Sequence, residues 1–337
     1  MAQRRMTQRR MMFAATGIWL CLGIVLLAFL WHISVGAKSV PLATVWQALV
    51  APEEGVFDHV IIRDLRLPRA IFAVTVGAAL SVAGALMQGV TRNPLAEPGI
   101  LGLLSGATFA VIIGIGWFGL AGTAYVPLFA AVGALAGAAM VWSIAEAAPG
   151  GSTPLTLILS GAAVTAFLGA IQGAAILLNE DAFFNFRVWL SGTLAGRDMD
   201  TYRWALPWFV GGLLAALIIA RQITALSMGE ETAAGLGVDT ARIKVVALIS
   251  VVALTAASVA VAGPLGFVGL VIPHIVRLFV GSDYRLVVPF SAVVGSGYVL
   301  VVDIAARMVL APIEVSTGIV TAMLGAPIFI WLVRSKL

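Results

Sequence analysis

Long apolar runs, separated by short polar or proline-broken breaks, set the pattern of this sequence. Met11 to Ile33 runs 23 residues without a charge, enough as a helix to cross a hydrocarbon core of ~30 Å. Backbone polar groups must pair internally in lipid, so each such run predicts a helix. A polar stretch follows from Lys38 to Asp64, within which Pro41 to Leu49 reads as a short amphipathic helix at the membrane surface. The next run, Leu67 to Val90, stops at Arg92-Asn93-Pro94, where a charge and a helix breaker coincide. Pro98 to Ala145 holds no charged residue and is too long for one crossing, so a break near Trp117–Pro127 divides it in two. Pro149 to Pro154 makes a turn, and Phe183 to Gly192 reads as an aromatic helix lying at the surface. Ten spans are predicted, at about 11–33, 67–90, 98–117, 125–146, 154–178, 202–220, 245–262, 267–280, 286–307 and 315–333, forming a single all-α transmembrane domain over 1–337. A basic residue, an apolar run and a proline-broken turn occur at Arg69–Pro94 and again at Lys244–Pro264, a faint internal echo of the paired repeats common in transporters.

Composition agrees with the pattern. Only 11% of the 337 residues are Asp, Glu, Lys or Arg, against about 25% in a soluble domain. The 36 glycines suit close helix packing in lipid. The single cysteine, Cys21, excludes an intrachain disulfide. No basic cluster interleaved with aromatics points to nucleic acid. Four N-terminal arginines before the first run resemble a signal peptide, and Val35-Gly36-Ala37 would allow cleavage. The run exceeds the roughly 7–15 residues of a signal core, however, so it reads as a retained span. With the N-terminus in the cytoplasm, twelve of the twenty Lys and Arg fall inside and eight outside. That bias places both termini in the cytoplasm and leaves an unusual number of outward basic residues that could meet a partner.

The chemistry of an engine is absent. No phosphate-binding loop exists, because Gly36-Ala37-Lys38-Ser39 lacks the upstream glycine spacing. His32, His59 and His274 are scattered, so no metal site is predicted, and His274 beside Pro273 reads as a helix cap. No span carries a carboxylate at its centre, as proton-coupled carriers usually do. The polar segment 226–237 is the most informative. Glu230, Glu231, Ala233 and Ala234 favour helix, while Gly229 and Gly235-Leu236-Gly237 allow turns at either end. It reads as a short cytoplasmic helix between glycine hinges, shaped for a groove on another protein; a plain solvated loop has the same composition.

That segment resembles the coupling helices of the permeases of iron-chelate, haem and vitamin B12 importers, the FecCD/BtuC-like family of ATP-binding-cassette (ABC) transporters. Further resemblance lies in Arg66-Leu67-Pro68-Arg69, in Asn93-Pro94-Leu95-Ala96-Glu97-Pro98-Gly99, in Gly266 to His274 and in Leu324-Gly325-Ala326-Pro327. Gly36–Ser39, Thr91–Pro94 and Trp189–Asp198 look most like the ferric-siderophore permeases. The resemblance implies a type II ABC importer permease fold of ten helices in the bacterial cytoplasmic (inner) membrane. It implies two permease subunits, identical or related, two ATPase subunits beneath, and a periplasmic or lipid-anchored binding protein above. This chain would be no enzyme and bind no cofactor; ATP and magnesium would sit on the partner ATPase. Leu226, Gly229, Glu230, Glu231, Ala234, Gly235, Leu236 and Gly237 would couple to the ATPase. Asn93, Leu95, Ser152 and Thr153 match positions at the cytoplasmic gate, where a helix stop and an N-cap are the plain alternatives. Arg66, Arg69 and Arg307 match outer arginines that receive carboxylates of the binding protein. A local pair between Asp303 and Arg307 competes with that role, as does snorkelling of Arg66 and Arg69 to the headgroups.

The cargo implied is a ferric siderophore, with haem or cobalamin as alternatives within the family. A secondary transporter or channel would instead call for ionisable residues inside the spans. A membrane enzyme would call for a catalytic cluster at one depth, and none is found.

Overall fold

The computed structural model describes residues 2–36, 39–53, 55–119, 125–151, 153–178 and 189–336. The predicted surface helix at Phe183–Gly192 therefore lies mostly outside the described residues, as do Ser152, Lys38 and Arg187. Everything described is helix, turn or loop. In chain order the helices are α1 (Ala2–Ser34), α2 (Leu42–Val50), α3 (Phe57–Val60), α4 (Leu67–Thr91), α5 (Leu103–Phe118), α6 (Val126–Ala147) and α7 (Pro154–Leu178). There follow α8 (Met199–Ser227), α9 (Glu230–Gly235), α10 (Thr240–Ala262), α11 (Val268–Val280), α12 (Tyr284–Met308) and α13 (Thr317–Lys336). A π-helical turn, Ile61–Arg66, joins α3 to α4, and a 3-10 turn, Pro98–Leu101, precedes α5.

Among the described residues, seven helical segments are long and apolar enough to cross a membrane: Thr16–Ser34, Phe57–Thr91, Val126–Ala147, Leu155–Ala175, Met199–Ser227, Thr240–Ala262 and Tyr284–Met308. Leu103–Phe118, Val268–Val280 and Thr317–Trp331 are apolar but shorter. The sixth predicted span stopped at Ala220, yet α8 continues to Ser227. Arg221 is exposed there while Ile223 and Leu226 are buried, so one apolar edge carries the helix past its first charge.

Helix α4 is the centre of the bundle. Most of its residues from Val76 to Thr91 are buried, against α12, α10, α11 and α8. Small residues make this possible, since lipid gives helices no hydrophobic reason to associate and close backbone packing must do the work. A Cβ on Gly77 would overlap the Gly295 carbonyl of α12, and one on Gly84 the Gly269 carbonyl of α11. The α5–α6 crossing is built the same way, with Gly106 against Gly133 and Gly137. Helix α7 lies at the edge. It packs on α5 and α6 and turns Leu155, Leu159, Phe167, Ile171, Leu177 and Leu178 outward.

Candidate functional site

Three regions carry the residues singled out in the sequence. At one end of the bundle, Arg66, Arg69 and Arg307 are brought into a single cluster around Asp303, whose side chain is fully buried. Arg69 grips Asp303 with two bonds, Nε to Oδ2 at 2.8 Å and Nη2 to Oδ1 at 3.1 Å, and donates from Nη1 to Glu314 Oε2 at 2.8 Å. His32 Nε2 lies 2.8 Å from Asp303 Oδ2, and Thr317 Oγ1 donates to Oδ1 at 2.7 Å. One carboxylate thus ties α1, α4, α12 and α13 together.

Arg66 and Arg307 do something different. Arg66 Nη1 donates to the carbonyls of Ile33 and Ser34 at 2.8 and 2.9 Å. Arg307 donates to those of His32 and Val35 at 3.2 and 3.0 Å. A helix leaves its last carbonyls without internal partners and carries negative potential at that end. Two guanidinium groups answer both at the end of α1. The π-helical turn positions Arg66 for this, burying Ile62 and Arg66 on one face while Arg63, Asp64 and Leu65 stay exposed. Arg66 and Arg307 are therefore buried, and the rim of the cluster is the Arg69–Glu314 pair. The local Asp303–Arg307 contact expected from their spacing is the weakest in the set, at 3.5 Å.

At the same end, Arg197 donates to the carbonyls of Thr193 and Ala262, capping α10. Burial without a described carboxylate partner pulls its guanidinium down to about 10.

The second region is α9 and its flanks. Gly229, the N-cap, has φ +127° and Gly237 has φ +80°, so the predicted hinge glycines at these two positions adopt conformations that favour glycine. Gly235 needs no such freedom. Glu230 is held by Lys244 of α10 at 2.6 Å, Ala233 is buried, and the Val238 N–H returns to the Ala233 carbonyl at 3.0 Å. Leu226 is buried at the end of α8 and anchors the segment from within. Glu231, Ala234, Gly235, Leu236 and Gly237 are exposed, with Met228 beside them.

The third region is split between two helix ends. After Arg92 closes α4 in the left-handed conformation, Asn93 Oδ1 accepts the Leu95 N–H at 2.9 Å, a local turn that leaves Leu95 exposed. Thr153 caps α7 reciprocally with Thr156, accepting its N–H at Oγ1 while the Thr153 N–H donates to Thr156 Oγ1 at 2.8 Å. The helix-stop and N-cap geometries are both present. Ser152 lies outside the described residues.

Two acidic residues take part that local spacing does not single out. The spacing of Asp303 offers only a local pair with Arg307; its signal is that it is the one carboxylate in α12. Glu97 stood inside a recognised motif without a role.

Residues 24–335 match the model of the FecCD transport family. This chain belongs to that family. It is 45% identical over 318 residues to the iron(3+)-hydroxamate import system permease protein FhuB of Bacillus subtilis, covering 94% of this chain and 81% of that one. It is 40% identical over 333 residues to the Fe(3+)-citrate import system permease protein YfmD of the same organism, covering 99% and 97%. A solved structure, described as an inward-facing conformation of a putative metal-chelate type ABC transporter, superposes with a TM-score of 0.84 at 27% identity. That match covers 96% of this chain and all of the other.

Proposed function

We propose that this chain is the permease subunit of an ATP-driven importer that carries a ferric siderophore across the bacterial cytoplasmic membrane. The observation that carries the reading is similarity over most of both chains to permeases named for ferric hydroxamate and ferric citrate, on a chain with no phosphate-binding loop of its own. Among the described residues, seven long apolar helical segments and three shorter ones support ten crossings, and the bias of Lys and Arg supports cytoplasmic termini. Membership of an ABC importer permease family supports a second permease subunit beside this one.

In this reading α9 docks on a partner ATPase that holds ATP and magnesium. Its braced Glu230 and buried Ala233 transmit ATPase closure into α8 and α10 as a rigid push. The exposed surface from Met228 through Glu231 to Leu236 is the contact. Asn93, Leu95, Ser152 and Thr153 form the cytoplasmic gate at helix ends, where small rotations of α4 and α7 change its width. At the outer face the binding protein's carboxylates meet Arg69 at the rim, with Arg66 and Arg307 behind it holding the end of α1. The chelator fills the metal's coordination sphere, so transport needs no protein ligand.

The test is reconstitution with the ATPase in liposomes, a candidate binding protein outside. Uptake of labelled ferric hydroxamate, ferric citrate, haem and cobalamin is followed with and without internal ATP. ATP-dependent uptake of a ferric chelate is the expected result. Uptake of haem or cobalamin alone would reassign the cargo, and uptake indifferent to ATP would overturn the importer reading.

A further inference from the structure

Among the described residues two non-glycines have positive φ, Arg92 at 52° and Phe267 at 67°. The left-handed conformation crowds Cβ against the carbonyl, so a bulky residue stays there only when its surroundings hold it. Phe267 is bonded to the segment that follows Arg92. Beyond Arg92 the chain turns through Asn93 and Leu95 to Glu97, and Glu97 Oε1 accepts the Phe267 N–H at 2.8 Å. Phe267 is the N-cap of α11, and its carbonyl accepts the Val271 N–H at 2.9 Å to start that helix.

The place is built tightly. A Cβ on Gly325 of α13 would overlap Phe267 Cβ, and one on Gly269 would press on Pro98 Cδ at 3.1 Å. Gln88 of α4 donates to the Gly269 and Leu270 carbonyls at 3.3 and 3.2 Å. Glu97 shares a small cavity with Leu80, half-way along α4, and with Leu104, Val259 and Leu265. Among the described residues Glu97 has no basic partner; its described bond is to the Phe267 amide. A carboxylate in such surroundings is costly, and it sits at the positive end of α11.

We propose that Glu97 is a positioning residue for transport: by holding Phe267 at the head of α11, it fixes the segment that carries Asn93 and Leu95, so that this segment and α11 move as one body. The proposal rests on the gate reading of Asn93 and Leu95. The Asn93 turn fixes one side of Leu95 and Glu97 the other, and α11 has backbone contact with α4. Displacement of α4 therefore reaches Leu95 through two anchors rather than through a free loop.

The experiment measures substrate imported per ATP hydrolysed by the reconstituted complex. Glu97→Ala loses the acceptor and is expected to lower that ratio about tenfold or more, as one charge-assisted hydrogen bond would, with ATP hydrolysis continuing. Glu97→Gln keeps an acceptor oxygen and holds the ratio within about threefold of the parent, the smaller loss of a neutral bond. Glu97→Gln is the informative comparison, because only a side chain with an acceptor at 97 can keep the segment tied to the Phe267 amide. A purely structural defect would lower uptake and ATP hydrolysis together and leave their ratio unchanged. The proposal is overturned if Glu97→Ala transports like the parent, or if Glu97→Gln fails equally. Leu95→Ala tests the gate reading separately, as leakage of substrate trapped in sealed vesicles. Tight vesicles would sink the gate; leaky vesicles with normally coupled Glu97→Ala would sink the positioning role alone.

Discussion

Replacing Asp303 by alanine removes a fully buried carboxylate that serves His32, Arg69 and Thr317 at 2.8, 2.8 and 2.7 Å. Breaking a buried pair by deleting one partner costs about 3–5 kcal/mol, because the other charge stays behind. Here the lower end applies. Arg69 keeps Glu314, which is itself partly exposed, and Arg307 keeps carbonyls at the end of α1. About 3 kcal/mol corresponds to an apparent melting shift of about 4 °C for a chain of this size. The assay is a thermal scan of purified protein in detergent at one fixed rate, since unfolding of such proteins is governed kinetically as much as by equilibrium. Asp303→Asn keeps the shape and loses the charge, and is expected to cost about 2 kcal/mol. Combined with Arg69→Met, Asp303→Ala should show a coupling of about 1–3 kcal/mol. Melting within about 1 °C of the parent, or additive effects in the double variant, would refute the view that this cluster holds the four helices together.

Gly84→Val is expected to exceed about 4 kcal/mol and to appear as loss of monodisperse protein, because the new side chain meets the Gly269 backbone and neither helix can give way. Gly235→Ala should leave both stability and ATPase co-purification unchanged, whereas Gly237→Ala costs about 1 kcal/mol at φ +80° and Gly237→Pro abolishes coupled transport. Glu231→Lys should weaken ATPase co-purification more than Glu230→Gln, since Glu230 already spends its charge on Lys244. Asp283 caps α12, and its hydrogen bonds from Arg285 hold its carboxyl below the usual range. A lowered folded value stabilises above the ordinary carboxylate pKa of about 3.9 and is lost as pH falls through the lowered one. The deficit of Asp283→Asn should therefore be steady near neutral pH and vanish in strong acid, as measured by thermal scans across pH.

Much of this was legible in the residues. Arg66, Arg69 and Arg307 stood out as basic residues beside apolar runs, and they do meet in space. Their spacing could not say that Arg66 and Arg307 face inward onto the carbonyls of α1, because that depends on where α1 ends relative to α4 and α12. Hinge glycines at 229 and 237 were readable because a positive φ selects for glycine locally. Lys244 bracing Glu230 was not, since α10 must first fold back beside α9. Glu97 shows the limit most clearly: nothing near it in the chain foretells a partner 170 residues away.

The order of apolar runs and their breaks by itself determined that this is a helical membrane protein, and its motifs placed it among the iron-chelate permeases. Both follow from local physics, because lipid obliges each apolar run to satisfy its own backbone and a motif is a run of adjacent residues. Only the tertiary structure decided what the charged residues do. A buried carboxylate or guanidinium takes its meaning from whatever opposes it across a helix packing. Gly77, Gly84 and Gly295 set those packings at backbone contact, which brings Asp303 to Arg69 and Glu97 to Phe267.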